Sequence, residues 1–407
     1  MSKYFITTPI YYINDKPHIG HTYSTTVADV LARFHRQHGD EVMFSTGTDE
    51  NSQKTVQAAE KLGTTDIAAY AGGMATMWEN TWKDLSISFD RFIRTTEEAH
   101  KKAVYEFIKR VDAAGDIYKG IYEGLYCVGH EAFLNAEELV DGLCPDHKTK
   151  PEHVKEENYF FRLSKYQQAL LDHIKANPAF IVPETRKNEV VSFISSGLKD
   201  ISISRKTKKW GIAWPDDHEQ AVYVWFDALI NYLTVAGFPA KNYEHWWPAD
   251  VHVVGKDIIK FHATIWPAML MSAGIKIPER VVAHGFFTIN GTKISKSLGN
   301  AIDPVELAGS YGNDALRYYL LKEIPFGADG DFNRQRFENL YTSELANDLG
   351  NLVQRVGSMI VRYLDGKTGP VEPHSHDATN IYTAIGQFQL DRALEEIWRM
   401  VRELNQY

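Results

Sequence analysis

The order of apolar and polar positions divides the chain into blocks. Residues 4–10 are rich in β-forming side chains and read as a strand. A loop carrying Pro9, Asn14, Asp15 and Pro17 comes next. From about His21 to His38, apolar Val27, Val30, Leu31 and Phe34 recur at helical spacing, which predicts an amphipathic helix. A short strand over residues 41–45 follows and ends at Thr46-Gly47-Thr48-Asp49. Strand, glycine loop, helix and strand make a βαβ unit. In an open parallel sheet, ligands bind at the carboxyl ends of the strands, and both the 18–21 loop and the 47–49 loop are expected there.

Residues 66–115 read as helices. From 117 to 215 the pattern changes to short strands, turns and polar loops, which predicts an inserted module. Strand character returns in Ala221-Val222-Tyr223-Val224-Trp225-Phe226 and in Asp250-Val251-His252-Val253-Val254-Gly255, so the second half of the sheet is expected after the insertion. Another apolar stretch, 281–289, leads to a lysine-rich loop. After about Arg334 everything looks helical, with Phe337, Leu340, Leu345, Leu349, Leu352, Val353, Val356 and Ile360 as a packing stripe. A second helix is expected from Ile381 to about Asn405. The resulting fold class is α/β: a Rossmann-like parallel sheet split by an inserted module and followed by a C-terminal α-helical region. The divisions are 1–116, 117–215, 216–289, 290–334 and 335–407.

The length of 407 residues accommodates two to four domains, and no stretch is apolar enough to span a bilayer. The first residues carry no apolar signal region with a cleavage site, so a cytoplasmic location without membrane attachment is expected. A formal net charge of −9 argues against a general nucleic-acid coat but leaves room for a local basic face. The run Arg205-Lys206-Thr207-Lys208-Lys209 is either such a face or a solvated loop.

The chemistry is concentrated in two short motifs. In His18-Ile19-Gly20-His21, two imidazoles bracket a glycine just before a helix. Glycine admits a ligand close to the backbone, and a helix N-terminus presents unpaired N–H groups. Imidazoles placed there can donate to a phosphoryl group as charge builds in a transition state. In Lys293-Ile294-Ser295-Lys296-Ser297, two lysines three apart suit a triphosphate and a leaving pyrophosphate. Taken alone, the first motif is as compatible with one surface and one packed histidine, and the second with a solvated charged loop. Their joint occurrence, in this order and at these places in the sheet, points to nucleotidyl transfer. Separately, Cys127-Val128-Gly129-His130 and Cys144-Pro145-Asp146-His147 repeat a ligand-x-x-ligand step, the spacing of a tetrahedral structural zinc site. The alternative is two buried thiols with histidines at the surface.

Together with these motifs, Thr8-Pro9-Ile10-Tyr11-Tyr12-Ile13-Asn14, Thr46-Gly47-Thr48-Asp49-Glu50, Tyr223-Val224-Trp225-Phe226-Asp227-Ala228, Gly255-Lys256-Asp257-Ile258, Phe261-His262 and Asn351-Leu352-Val353-Gln354-Arg355 resemble the methionyl-tRNA synthetases, which are class I aminoacyl-tRNA synthetases, over essentially the whole chain. One departure is Asn51-Ser52, where that family usually has histidine and glycine after the glutamate.

The resemblance implies a cytoplasmic ligase that activates L-methionine with ATP and Mg²⁺, releases pyrophosphate, and passes the methionyl group to the terminal adenosine of methionine tRNA, initiator included. It implies catalytic roles for His18, His21, Lys293 and Lys296, and ATP contacts at Gly20, His21, Gly255, Asp257 and Lys296. Asp49 would bind the methionine ammonium with help from Ile10, while Tyr12, Trp225, Ala228, Tyr232, Phe261 and His262 would line the side-chain slot. An apolar, aromatic slot suits a soft, unbranched thioether.

Members that bind zinc often use four cysteines where this chain has Cys127, His130, Cys144 and His147. Asn351 and Arg355, four apart on one helix face, would read the anticodon. The family usually adds a stacking tryptophan beyond the segment that ends at Tyr407, so a partial anticodon-binding domain, near-normal adenylate formation and weak tRNA charging are expected. The rival readings are a class I synthetase for another amino acid, a free-standing nucleotidyltransferase and a catalytically inactive tRNA-binding paralogue.

Overall fold

The computed structural model describes residues 2–127, 132–134, 139–145, 148–206, 210–289, 291–294, 302–369 and 378–406. The chain forms two compact units, Met1–Lys16 with Ala28–Ala283, and Pro17–Val27 with His284–Tyr407.

The chain opens with β1 (Lys3–Tyr12), α1 (Ile19–Gln37) and β2 (Glu41–Asp49), followed by α2 (Gln53–Lys61), α3 (Ile67–Asp84), β3 (Arg91–Arg94) and α4 (Glu98–Ala113). The middle segment gives β4 (Ile117–Cys127), β5 (Ala132–Leu134), β6 (Glu152–Phe161), α5 (Gln167–Ala176), β7 (Ile181–Val182), α6 (Glu184–Ser195), β8 (Ile201–Ser202) and β9 (Ser204–Lys206). Then come β10 (Ala213–Trp214), β11 (Asp217–Val222), α7 (Val224–Leu229), α8 (Asn231–Ala236), β12 (Val251–Gly255), α9 (Trp266–Ser272) and β13 (Val281–His284).

The main sheet has the strand order β3-β2-β1-β12-β13-β7. Its β1–β2, β1–β12, β2–β3 and β13–β7 pairings are parallel. The direction of strand order reverses between β1 and β12, which is where such sheets open a crevice for ligands. Pro9 cannot donate to a ladder, and the β1–β2 register shifts between Thr7 and Ile10. Beyond that shift, β1 runs on two residues past the expected end and sets Tyr12 opposite Asp49.

The 47–49 segment is likewise strand, not loop. Gly47 is required there, because a Cβ would come within 2.1 Å of the Ile93 carbonyl oxygen on β3. Strand β3 lies inside the block expected to be helical. Its four residues, Arg-Phe-Ile-Arg, are too few for an alternation to stand out.

The run at 221–226 also differs from expectation. Its strand ends at Val222, and Val224 to Leu229 turn into a helix that puts Trp225 on α7. Short runs of aromatic and branched residues do not distinguish strand from helix. Strand β11 pairs with β9 and β10 in a small separate sheet, and β4, β5, β6 and β8 form another. The 117–215 segment still shares the main core: Phe161, Leu170, Phe180 and Trp214 belong to the same buried cluster as Phe5, Phe107 and Trp266. The Phe107 ring packs on Phe226 and Trp266, each at 6.0 Å between centroids. Removing a buried ring of this kind costs about 3–5 kcal/mol.

In the second unit, β14 (Phe287–Ile289), β15 (Thr292–Lys293) and β16 (Gly330–Phe332) make a three-stranded sheet in the order β15-β14-β16. The helices are α10 (Pro304–Tyr311), α11 (Asn313–Lys322), α12 (Arg334–Leu340), α13 (Asn351–Leu364), α14 (Thr379–Gly386) and α15 (Leu390–Asn405). A π-helical stretch, Tyr341–Gly350, joins α12 to α13. The expected packing stripe is only partly realised. Phe337 is buried, but Val353 and Val356 are 64% and 46% exposed.

Candidate active site

One pocket in the first unit gathers most of the side chains expected to hold an amino acid. Pro9, Ile10 and Tyr12 come from β1, and Asp49 is the last residue of β2. Trp225, Ala228 and Leu229 lie on α7, Asn231 and Tyr232 on α8, and Ile258 and His262 follow β12. The space between these side chains, its open mouth included, is about 320 Å³. Phe261 stacks on Trp225 at 3.7 Å and 11°, and Tyr12 meets the same indole edge-on at 6.5 Å. An indole held on two sides gives the pocket a rigid apolar wall.

Another part of the pocket lining, Tyr232 with His262, is polar but uncharged. His262 lies 3.0 Å from the Ile258 carbonyl through Nδ1, so Nδ1 carries the hydrogen and Nε2 accepts. Tyr232 therefore donates its hydroxyl hydrogen to Nε2 across 2.7 Å. Burial pushes the His262 imidazole down to about 4, which keeps it neutral at physiological pH. Beneath this pair, His252 sits 4.2 Å from the Tyr232 ring and 2.7 Å from Thr7 Oγ1 through its Nδ1. Burial, then the nearby His262, hold its basicity well below the usual histidine value. Gly255 closes β12, the strand beside β1, and Asp257 stands exposed in the turn that follows it, Lys256–Ile258.

Asp49 itself is nearly fully buried, and the residues after it are pinned from several directions. The Glu50 carboxylate takes a two-pronged ion pair from Arg94, with Nε–Oε1 at 2.7 Å and Nη2–Oε2 at 3.0 Å. It also accepts from Thr48 and Thr96. The Glu50 amide donates to Thr95 Oγ1 at 2.9 Å, and the Asn51 side chain donates to Asp227 Oδ2 at 2.8 Å. Sequence reading missed Arg94, Thr95, His100 and Asp227. An aspartate inside Val-Trp-Phe-Asp-Ala-Leu was a usable sign, because a buried charge requires partners. His100 offered none, since its helix pattern is ordinary.

In the second unit, α1 begins at Ile19, so Gly20 and His21 occupy its first turn rather than the preceding loop. The two imidazoles lie 3.8 Å apart between centroids, tilted by 31°. His18 Nδ1 accepts from the Gly20 amide at 3.1 Å, and His21 Nδ1 accepts from the His18 amide at 3.2 Å. Each ring is thereby set in the tautomer with its hydrogen on Nε2. Burial, then the proximity of His18, keeps His21 neutral. A Cβ on Gly20 would lie 3.0 Å from the His18 ring, so a larger residue there would push against that imidazole. Lys293 lies in β15, and Lys296 falls outside the described residues.

Cys127 ends β4 and Cys144 begins a turn in which the Lys148 amide donates to its carbonyl; both thiols are buried. His130 and His147 lie outside the described residues. Asn351 and Arg355 are exposed on α13, and Arg355 donates through Nη2 to Asn405 Oδ1 at 2.8 Å. Among the described residues, no helix is long and apolar enough to cross a membrane.

Comparison with known proteins identifies the family. A family model described as tRNA synthetases class I (M) matches residues 4–152 and 146–357. A methionine–tRNA ligase of Thermotoga maritima is 46% identical over 422 residues, covering 100% of this chain and 67% of the relative. One from Caldanaerobacter subterraneus is 46% identical over 418 residues, covering 99% and 65%. The chain thus spans about two thirds of the length of these relatives. Among solved structures, Mycobacterium tuberculosis methionyl-tRNA synthetase in complex with methionyl-adenylate superposes with a TM-score of 0.95 at 45% identity, covering 100% of this chain and 83% of that one. With a family model matching most of the chain and relatives of this identity, the chain belongs to the methionyl-tRNA synthetases, within the class I tRNA synthetases.

Proposed function

We propose that this chain is a methionine–tRNA ligase. The carrying observation is one pocket lined by a carboxylate, Asp49, by a neutral Tyr232–His262 pair and by Trp225. A free amino acid with a weakly hydrogen-bonding, unbranched side chain suits that polarity. Asp49 holds the α-ammonium beside the Ile10 backbone. Tyr12, Trp225, Ala228, Phe261, Tyr232 and His262 shape the side-chain slot. A neutral His262 favours a thioether over a carboxylate or ammonium side chain, since it offers no full charge to pair with either.

In the first step the methionine carboxylate oxygen attacks the α-phosphorus of ATP in line. The bond to the β-phosphate oxygen breaks, giving methionyl-adenylate and pyrophosphate. His18 and His21 donate to the phosphoryl oxygens as charge develops, Gly20 admits the phosphates to the helix N-terminus, and Lys293 and Lys296 hold the leaving pyrophosphate. Gly255 and Asp257 contact the nucleoside. Mg²⁺, entering with ATP, would supply neutralisation of phosphate charge. In the second step the terminal adenosine of methionine tRNA, initiator included, takes the methionyl group. Asn351 and Arg355 face the anticodon, and the enzyme works in the cytoplasm where that tRNA is used.

Residues 1–116 and 216–289 are the two halves of the catalytic domain, 117–215 the inserted connective module, 290–334 the lysine-loop and stem-contact region, and 335–407 the anticodon-binding part. Two buried thiols suit a closed structural zinc site, which Cys127, Cys144, His130 and His147 would hold. Such an ion would brace the inserted module. One equivalent of zinc in purified protein supports this set, and metal-free protein removes it.

The deciding experiment is ATP–pyrophosphate exchange across a panel of amino acids. Exchange with methionine alone is expected. Exchange with another amino acid, or with none, overturns the reading.

A further inference from the structure

The buried Asp227 on α7 ties the helix that carries Trp225 to the segment just after Asp49. Helix α7 has six residues, Val224–Leu229, too few to be stable through its own hydrogen bonds. Its placement must come from outside. Asp227, on this helix, is fully buried, and each of its carboxylate oxygens is held by a different element. Oδ1 accepts from His100 Nε2 of α4 at 2.6 Å, and Oδ2 accepts from Asn51 Nδ2 at 2.8 Å. His100 is fully buried too and is braced by Thr234 Oγ1 of α8 at 2.9 Å from Nδ1. The Asn51 amide nitrogen also donates to the Thr95 carbonyl at 3.2 Å, so its two hydrogens face two acceptors and the amide has one sensible orientation.

These residues stand beside the pocket rather than in it. Asn51 is two residues past Asp49, and Asp227 lies between Trp225 and Ala228. Resting on the methionine reading of the pocket, we propose that Asn51 is a positioning residue that acts through Asp227, with His100, to set the spacing between the ammonium-binding carboxylate and the wall of the side-chain slot. The consequence is selective. A free amino acid must touch both Asp49 and the α7 wall at once, whereas the ATP contacts proposed above include neither Trp225 nor Ala228. Losing the Asn51 link loosens α7 against β2 and weakens methionine binding, and the chemical groups stay in place. A histidine at this position would offer a ring N–H that can donate to the same carboxylate.

The test is ATP–pyrophosphate exchange on the full chain, with thermal unfolding as a control for folding. Asn51→Ala is expected to raise KM for methionine about tenfold, as for loss of one hydrogen bond to a buried charge, with kcat and KM for ATP unchanged. Asn51→His is expected to return KM for methionine to near the parent value. An unchanged KM in Asn51→Ala overturns the proposal. So does an equal rise in KM for ATP, or a defect that Asn51→His does not repair, since either marks a general disturbance. If the parent chain shows no exchange with methionine, the functional reading fails instead, and the two failures are distinct.

Discussion

Tyr232 donates to His262 across 2.7 Å, and it can do so because the opposite ring nitrogen of His262 is committed to the Ile258 carbonyl. One backbone acceptor thus selects the tautomer, and the tautomer selects the direction of the side-chain bond. The pair is buried, so neither partner can turn to water if the other is removed.

Tyr232→Phe removes the donor and leaves a buried acceptor without its partner. Such a loss costs about 1–3 kcal/mol. The expected result is a rise in KM for methionine of about tenfold in pyrophosphate exchange, with KM for ATP unmoved. An unaltered KM would show that methionine does not depend on this part of the pocket.

Acid should destabilise the fold through its buried histidines. His262 and His284 are each lowered to about 4 by burial, against an ordinary value of 6.5. Between those values the unfolded chain binds a proton that the folded chain refuses, so stability rises with pH across this window. It is fully present above about 6.5 and is lost progressively as pH falls towards 4, by on the order of 3 kcal/mol per imidazole. Urea unfolding at pH 7 and pH 4.5 measures the slope. His262→Gln, which cannot titrate, should flatten it.

Phosphate chemistry should depend on the helix turn and the lysine loop without affecting the amino-acid pocket. His21→Asn removes a positioned Nε2–H donor, and Lys296→Ala removes a cation. By analogy with single oxyanion donors, each is expected to lower kcat for exchange about a hundredfold, with methionine binding measured by calorimetry retained. Normal kcat in Lys296→Ala takes that lysine out of the mechanism.

The Glu50–Arg94 pair should be important for stability. Glu50 is fully buried, whereas the Arg94 side chain is 36% exposed, so solvent softens the loss below that of a wholly buried pair. Arg94→Met is expected to destabilise the chain by about 2 kcal/mol, read as a lower urea midpoint at constant slope. Arg94→Lys should recover only part of this, because an ammonium cannot reproduce the fork. A midpoint unchanged in Arg94→Met would mean that Thr48 and Thr96 suffice.

The sequence by itself determined the βαβ opening, the return of strands after the middle segment, the helical end and the family. It did so because each rests on local information. Periodicity marks α1, and short motifs such as His18-Ile19-Gly20-His21 keep their chemistry in consecutive residues. Tertiary structure decided what depends on distant partners. Trp225 read as a strand residue, yet it sits on α7, because a six-residue segment takes its conformation from what it packs against. Strand β3 became legible only through its pairing with β2. The protonation of His262, the direction of the Tyr232 hydrogen bond and the hold on Asp227 follow from burial and from neighbours 30 to 176 residues away in sequence. Electrostatics and hydrogen bonding act through space, and no pattern along the chain records which side chains the fold brings within 3 Å.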